Sequence, residues 1–258
     1  MDASHATGYS SGSQIARRIT EAWGEANLYC AACTSSSLSR APCNTKAVDF
    51  ICPTCSAPYQ LKARKQWNEH RVPDAAYDAM MAAVLSDRTP NLLVMQYSLK
   101  YSVVNLMLIP SFFFSPASVE KRRPLAPTAR RAGWVGCNIN LDVIASQGKL
   151  RLVHASEPIE AAYVREQYRT LRPLANLDAK LRGWTLDILC MVQRMPRIFT
   201  LNDAYAREKE LMELYPANRF VRPKIRQQLQ VLRDLGFIRV IGRGNYELIK
   251  RNSPVQKG

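Results

Sequence analysis

Residues 46–65 read KAVDFICPTCSAPYQLKARK. Two β-type runs flank a Cys-x-x-Cys pair. Before the pair, Val48, Phe50 and Ile51 surround Asp49. After it, Tyr59, Leu61 and Ala63 alternate with Gln60, Lys62 and Arg64. A period of two marks strands, and it puts Gln60 and Lys62 on one face. The stretch therefore predicts a hairpin of Lys46–Ile51 with Tyr59–Lys65, joined through a cysteine knuckle. If Asp49 shares the face of Gln60 and Lys62, three polar groups converge.

The knuckle has a counterpart upstream. Cys30-Ala-Ala-Cys33 precedes Cys52-Pro-Thr-Cys55 by eighteen residues. Two such pairs fifteen to twenty residues apart fit a zinc site, because each turn brings two thiolates to one ion and two turns complete a tetrahedron. Four cysteines leave no open position, so the Zn2+ is expected to be structural. The competing reading is two unrelated buried pairs. Cys43, Cys137 and Cys190 remain, and read as small buried residues.

Asp, then an acidic or amide residue, one spacer and Lys is the signature of PD-(D/E)xK nucleases. Asp49 would hold a divalent metal, which polarises a phosphate and acidifies a bound water. Lys62 would steady that water or the developing negative charge. Gln60 would help to hold the metal, with a neutral oxygen in place of a carboxylate. Two salt-bridged surface strands give the same letters, so the pattern needs its context.

That context is basic. The 258 residues carry 36 Lys and Arg against 21 Asp and Glu, a net charge of +15. Apolar residues make up 47%, enough for a core and too many for global disorder. Such a balance suits a polyanionic partner, because neutralised phosphates release counterions; a merely soluble basic protein is the alternative. Residues 1–13 are small and polar with no secretory pattern, and the apolar runs near 92–97 and 106–114 are too short to span a bilayer. A cytoplasmic protein without membrane contact is expected.

Gln14–Trp23 has helical spacing. Asp74 is a candidate N-cap for a helix to Ser86. Asn91–Tyr97, Ser102–Ile109 and Lys149–His154 read as further strands, giving a mixed sheet flanked by helices. Residues 121–139, KRRPLAPTARRAGWVGCNI, put Lys121, Arg122, Arg123, Arg130 and Arg131 around Trp134. A basic loop with an embedded indole suits DNA, where arginines meet phosphates or guanine edges and an aromatic ring wedges or stacks. A solvated loop over a buried tryptophan is the bland alternative.

From residue 183 the pattern changes. Trp184–Met195 is amphipathic. Thr200 and Asp203 form a capping box that starts a second helix to about Leu214. Arg222–Asp234 is a third, with Lys224, Arg226, Gln227, Gln230 and Arg233 largely outward. Phe237–Ile241 and Tyr246–Ile249 then pair around a turn that carries Arg243. Three helices and a basic-tipped hairpin make a winged helix-turn-helix whose third helix would enter the major groove. A winged helix used only for protein contacts is the alternative.

The cysteine pairs around Asp49, the QLK triplet, PLAPTARRAGWVGCNI, RGWTLDIL and IRQQLQVLRD closely resemble the DpnI-type family of methylation-dependent type II restriction endonucleases, from about Gln14 to Leu248. The resemblance implies an α/β (α+β) fold: a PD-(D/E)xK nuclease domain with a mixed sheet and an embedded zinc site over 14–182, and a winged helix over 183–250. Residues 1–13 and 251–258 would be flexible tails. It implies Mg2+-dependent cleavage of double-stranded DNA at GATC carrying N6-methyladenine, by a monomer. Asp49 matches the metal aspartate, Lys62 the catalytic lysine, Cys30, Cys33, Cys52 and Cys55 the zinc ligands, and Trp134 the loop tryptophan that inserts into DNA. Gln60 departs from the family's glutamate. That departure leaves open a catalytically impaired reader of methylated adenine. A zinc-ribbon winged-helix transcription factor would leave residues 60–150 unexplained.

Overall fold

The most apolar stretch of the chain, residues 91–109, forms the centre of the fold. The structure is a computed structural model and describes residues 1–42, 45 and 47–249. In chain order its elements are α1 (Gly12–Asn27), β1 (Ser39–Arg40), β2 (Phe50–Ile51), β3 (Pro58–Arg64), β4 (Arg71–Ala76), α2 (Tyr77–Leu85), β5 (Asn91–Tyr97) and β6 (Val103–Ile109). There follow β7 (Val119–Lys121), β8 (Gly136–Asn140), β9 (Leu150–His154), β10 (Glu157–Pro158), α3 (Ala161–Leu171), α4 (Ala179–Gln193) and β11 (Ile198–Thr200). The chain closes with α5 (Leu201–Tyr205), α6 (Glu208–Leu214), α7 (Val221–Asp234), β12 (Ile238–Gly242) and β13 (Asn245–Leu248).

Seven strands form one mixed sheet in the order β1-β2-β3-β5-β6-β9-β10. Only β3 and β5 run parallel. Leu92, Leu93, Val94 and Met95 are all buried, so β5 is covered on both faces, as strands beside a parallel neighbour usually are. The expected hairpin is present: Phe50 pairs with Tyr59 and Ile51 with Pro58. Its first strand starts at Phe50, later than the expected Lys46; Lys46 and Cys43 lie outside the described residues. Helix α1 packs on this hairpin at Gly24, where a Cβ would meet the Phe50 ring at 2.6 Å.

A second sheet, in the order β4-β8-β7, was not apparent in the sequence. Its strands are short, and two of them flank the basic loop. Asp74 lies within β4. Helix α2 begins at Tyr77 with Ala76 at the N-cap position and no side-chain cap. The expectation that Asp74 caps a helix is therefore wrong: extended backbone continues through it, and its carboxylate is engaged elsewhere.

Residues 1–13 are not a loose tail. The Met1 ammonium donates to the Tyr101 carbonyl at 2.7 Å, Ala6 is buried, and α1 already begins at Gly12. Residues 251–258 lie outside the described residues. No helix among the described residues is long and apolar enough to cross a membrane.

The C-terminal segment is a winged helix: α4, α5 with α6, α7, and a sheet ordered β11-β13-β12. The capping box at Thr200 and Asp203 is present. The helix it starts breaks after Tyr205 and resumes at Glu208, so the single expected helix is two. Helix α4 also begins earlier than expected and is buried from Arg182 to Val192. Its outer face packs on the sheet domain. Arg182 pairs with Asp87 at 2.5 Å. Asp187 accepts from Ser115 Oγ at 3.0 Å and from Tyr215 Oη at 2.5 Å. Tyr215 in turn stacks on Trp184, with ring centroids 3.7 Å apart.

Burial raises the Asp187 carboxyl to about 6, against the opposing pull of the Tyr215 and Ser115 hydroxyls. A carboxyl raised in the folded state favours folding while protonated and loses that contribution as pH climbs. Asp187→Asn should therefore gain stability relative to the parent by about 2–3 kcal/mol between pH 4 and pH 7. Urea denaturation at stepped pH reads this out; a pH-independent difference would contradict it.

Candidate active site

The two cysteine pairs meet. Cys30 and Cys33 follow α1, while Cys52 and Cys55 turn the chain from β2 into β3. Their sulfurs lie within 4.8 Å of one another, with Cys30 to Cys55 at 3.6 Å and Cys33 to Cys52 at 3.5 Å. A tetrahedron with Zn–S bonds of about 2.3 Å has edges of about 3.8 Å, so the set fits a metal such as zinc. Burial pushes the Cys30 thiol up to about 12, opposed by the Tyr59 hydroxyl. At Cys52 burial also pushes upward, but the N–H groups of Cys55 and Thr54 prevail and bring it to about 6. Arg165 of α3 braces the first knuckle, donating to the Cys30 carbonyl at 3.0 Å and to the Ser35 carbonyl at 2.8 Å.

Across the hairpin, Asp49 accepts the Leu61 N–H on Oδ2 at 2.7 Å. Burial raises its carboxyl; the Leu61 N–H opposes this, Glu21 adds to it, and the charges of Lys62 and Arg17 pull it back. Asp49 also lines a cleft of about 410 Å³ together with Arg17, Arg18 and Glu21 of α1 and with Arg40. Gln60 and Lys62 do share a face, and they converge on a residue that no local pattern marks as part of the site. Asp74 Oδ1 lies 2.5 Å from Lys62 Nζ and 3.3 Å from Gln60 Nε2. No hydrogen bond or ion pair joins Asp49 to Gln60 or Lys62 among the described residues. The expected convergence of Asp49 with Gln60 and Lys62 is not seen at contact distance: Asp74 occupies that place, and Asp49 is coupled to Lys62 only through its charge.

The β4 strand explains how Asp74 arrives. Pro73 pairs with Asn138 and Ala76 with Gly136, with a break in register between them. Such irregularities re-aim side chains. The Asp74 side chain is only 3% exposed. The strand that β4 pairs with, β8, emerges directly from the basic loop, which connects β7 to β8.

The loop itself is ordered by its own backbone. Arg122 N–H donates to Gly136, Gly133 N–H to Leu125 and Leu125 N–H to Trp134. Arg122, Arg123, Arg130 and Arg131 are exposed. Trp134 is half-buried, with the Arg131 guanidinium 4.8 Å from its ring centre. A Cβ at position 136 would sit 2.7 Å from that ring, so Gly136 makes room for it. The indole lies over Gly136. In the winged helix Arg226, Gln227, Gln230 and Arg243 are exposed, and Lys224 is half-buried with Nζ 2.8 Å from Gln227 Oε1.

The descriptions of known families place this architecture. A model of the Dam-replacing family, DpnI, matches residues 1–177, and one of the Dam-replacing HTH domain, the DpnI C-terminal domain, matches residues 180–248. The chain belongs to the DpnI family. Membership supports a methylation-dependent restriction enzyme, and the HTH domain supports DNA binding. In DpnI terms, the cysteine cluster and the mixed sheet fall within the first matched region and α4–β13 within the second.

A structural metal at the four cysteines predicts one zinc per chain by elemental analysis. Stripping it should lower the melting temperature by roughly 10 °C or more, since zinc sites of this kind carry folding free energy directly. An unchanged melting temperature after complete removal would contradict that role.

Proposed function

We propose that this protein is a cytoplasmic, monomeric type II restriction endonuclease that hydrolyses double-stranded DNA at GATC sites carrying N6-methyladenine. The supporting observation is the placement of Gln60 and Lys62 on one face of β3, with the half-buried Asp49 just before β2 bonded to the Leu61 N–H between them. Family membership supplies the substrate class.

The donors fit a hard cation such as Mg2+, because Asp49 and Gln60 offer oxygen atoms only. These two residues would hold it, and the bound ion would supply charge to the phosphate and activation of a water. Lys62 places an ammonium where negative charge develops on the phosphate. Water adds to phosphorus, the P–O bond to the leaving sugar breaks, and one phosphodiester per strand is hydrolysed. Cys30, Cys33, Cys52 and Cys55 would hold Zn2+, which would brace the hairpin that carries these groups. The division of labour follows the chain: a nuclease domain over 14–182 and a winged helix over 183–250.

DNA would be held by Arg122, Arg123, Arg130 and Arg131 around Trp134, and by Lys224, Arg226, Gln227, Gln230 and Arg243. Burying one methyl group is worth only about 0.8 kcal/mol, a factor of roughly four. Strong discrimination therefore needs exclusion of the more hydrated bare amino group, or reading by both domains.

A second reading is a non-cleaving reader of methylated adenine, favoured by the amide at Gln60. A digest separates the two. Purified protein with Mg2+ should cut a plasmid methylated at GATC and spare its unmethylated twin, and Asp49→Ala should lower the rate at least a hundredfold. Tight binding to the methylated plasmid without cutting would establish the reader instead.

A further inference from the structure

The nuclease reading gives Asp74 no role, yet its carboxylate stands at the end of both functional side chains of β3. Period two puts residues 60 and 62 on one face, so a carboxylate borne by residue 60 would end beside Lys62. Here that place is taken from the other sheet. Asp74 Oδ1 is 3.3 Å from Gln60 Nε2 and 2.5 Å from Lys62 Nζ. Among the described residues it is the only carboxylate in contact with both. The register break in β4 delivers it. At 3% exposure a lone charge there would cost several kcal/mol, and Gln60 is neutral, so Lys62 acts as the counter-charge.

We infer that Asp74 is the second carboxylate of the divalent-cation site, supplying from β4 the charge that Gln60 lacks on β3. The inference rests on the nuclease reading. It accounts for an amide at residue 60: the negative charge comes from a strand of the other sheet, beside Gln60 and Lys62. With a cation seated at Asp74, Lys62 loses its partner, and its ammonium is released toward the phosphate. Asp74 is thus both a cation ligand and the group that parks Lys62 in the cation-free protein.

The test uses the zinc-loaded full chain without DNA, titrated with Mn2+ and followed by the electron paramagnetic resonance signal of the free ion. Asp74→Asn should weaken Mn2+ binding at least tenfold, as Asp49→Ala should, with zinc content unchanged. The double variant Asp74→Asn, Gln60→Glu should recover most of that affinity and of the cleavage rate. It also returns a carboxylate to Lys62, so it keeps the test decisive should the single variant fold poorly. Wild-type Mn2+ affinity in Asp74→Asn, no binding by the folded double variant, or faster cleavage by Asp74→Asn would each overturn the inference while leaving the nuclease reading in place. A wild-type protein that neither binds Mn2+ nor cuts methylated DNA would overturn both.

Discussion

Two sheets meet at the ion pair between Lys62 and Asp74. The Asp74 side chain is almost completely enclosed and that of Lys62 is 25% exposed, so the carboxylate needs a positive charge beside it, which Lys62 supplies. This requirement fixes more than two side chains. It holds β4 against β3, and through β4 it sets the position of β8. Since β8 receives the chain from the basic loop, the pair also fixes where Trp134 and its four arginines stand relative to Asp49. Cys137 of β8 shows the proximity: burial raises its thiol to about 11, and the charges of Asp74, Lys62 and Arg122 all reach it. The Lys62–Asp74 pair and the basic loop are therefore linked through β4 and β8.

The hairpin carrying Asp49 is held from the opposite side. Helix α1 closes on Phe50 at Gly24, the cysteine cluster closes the turn, and Arg165 ties the knuckle to α3. A two-residue strand such as β2 has little pairing of its own to hold it. A four-sulfur clip at its end substitutes for length. The second cysteine pair of the clip lies between Asp49, three residues before Cys52, and Gln60, five residues after Cys55. The winged helix joins through α4, which is buried from Arg182 to Val192 and anchored at Asp87 and Ser115. That helix packs both against the sheet domain and against α7.

Much of this was legible in the sequence. The β2–β3 hairpin follows from alternation, the cysteine set from spacing, β5, β6 and β9 from apolar runs, and the winged helix from a capping box, one amphipathic helix and a glycine-rich turn. These are local signals of period or spacing. What escaped was nonlocal. The β4-β8-β7 sheet is made of three- to six-residue strands, pairing across 60 residues of chain, and β4 has no alternation to mark it. Asp74 looked like a helix cap because an acidic residue before an apolar helical run is the usual cap signature. Its real partners, Gln60 and Lys62, lie 14 and 12 residues upstream on another sheet, a relation no periodicity encodes. The same holds for the N-terminal segment, whose small polar composition does not disclose a terminal ammonium bonded to Tyr101.

Anomalous diffraction from crystals soaked in Mn2+ tests the central claim most directly, because it locates cations without recourse to activity. One zinc peak enclosed by Cys30, Cys33, Cys52 and Cys55 is expected. One manganese peak bonded to Asp49 and Asp74 is also expected, with Lys62 turned away from Asp74. A manganese peak away from both carboxylates, with the Lys62–Asp74 pair intact, would contradict the claim.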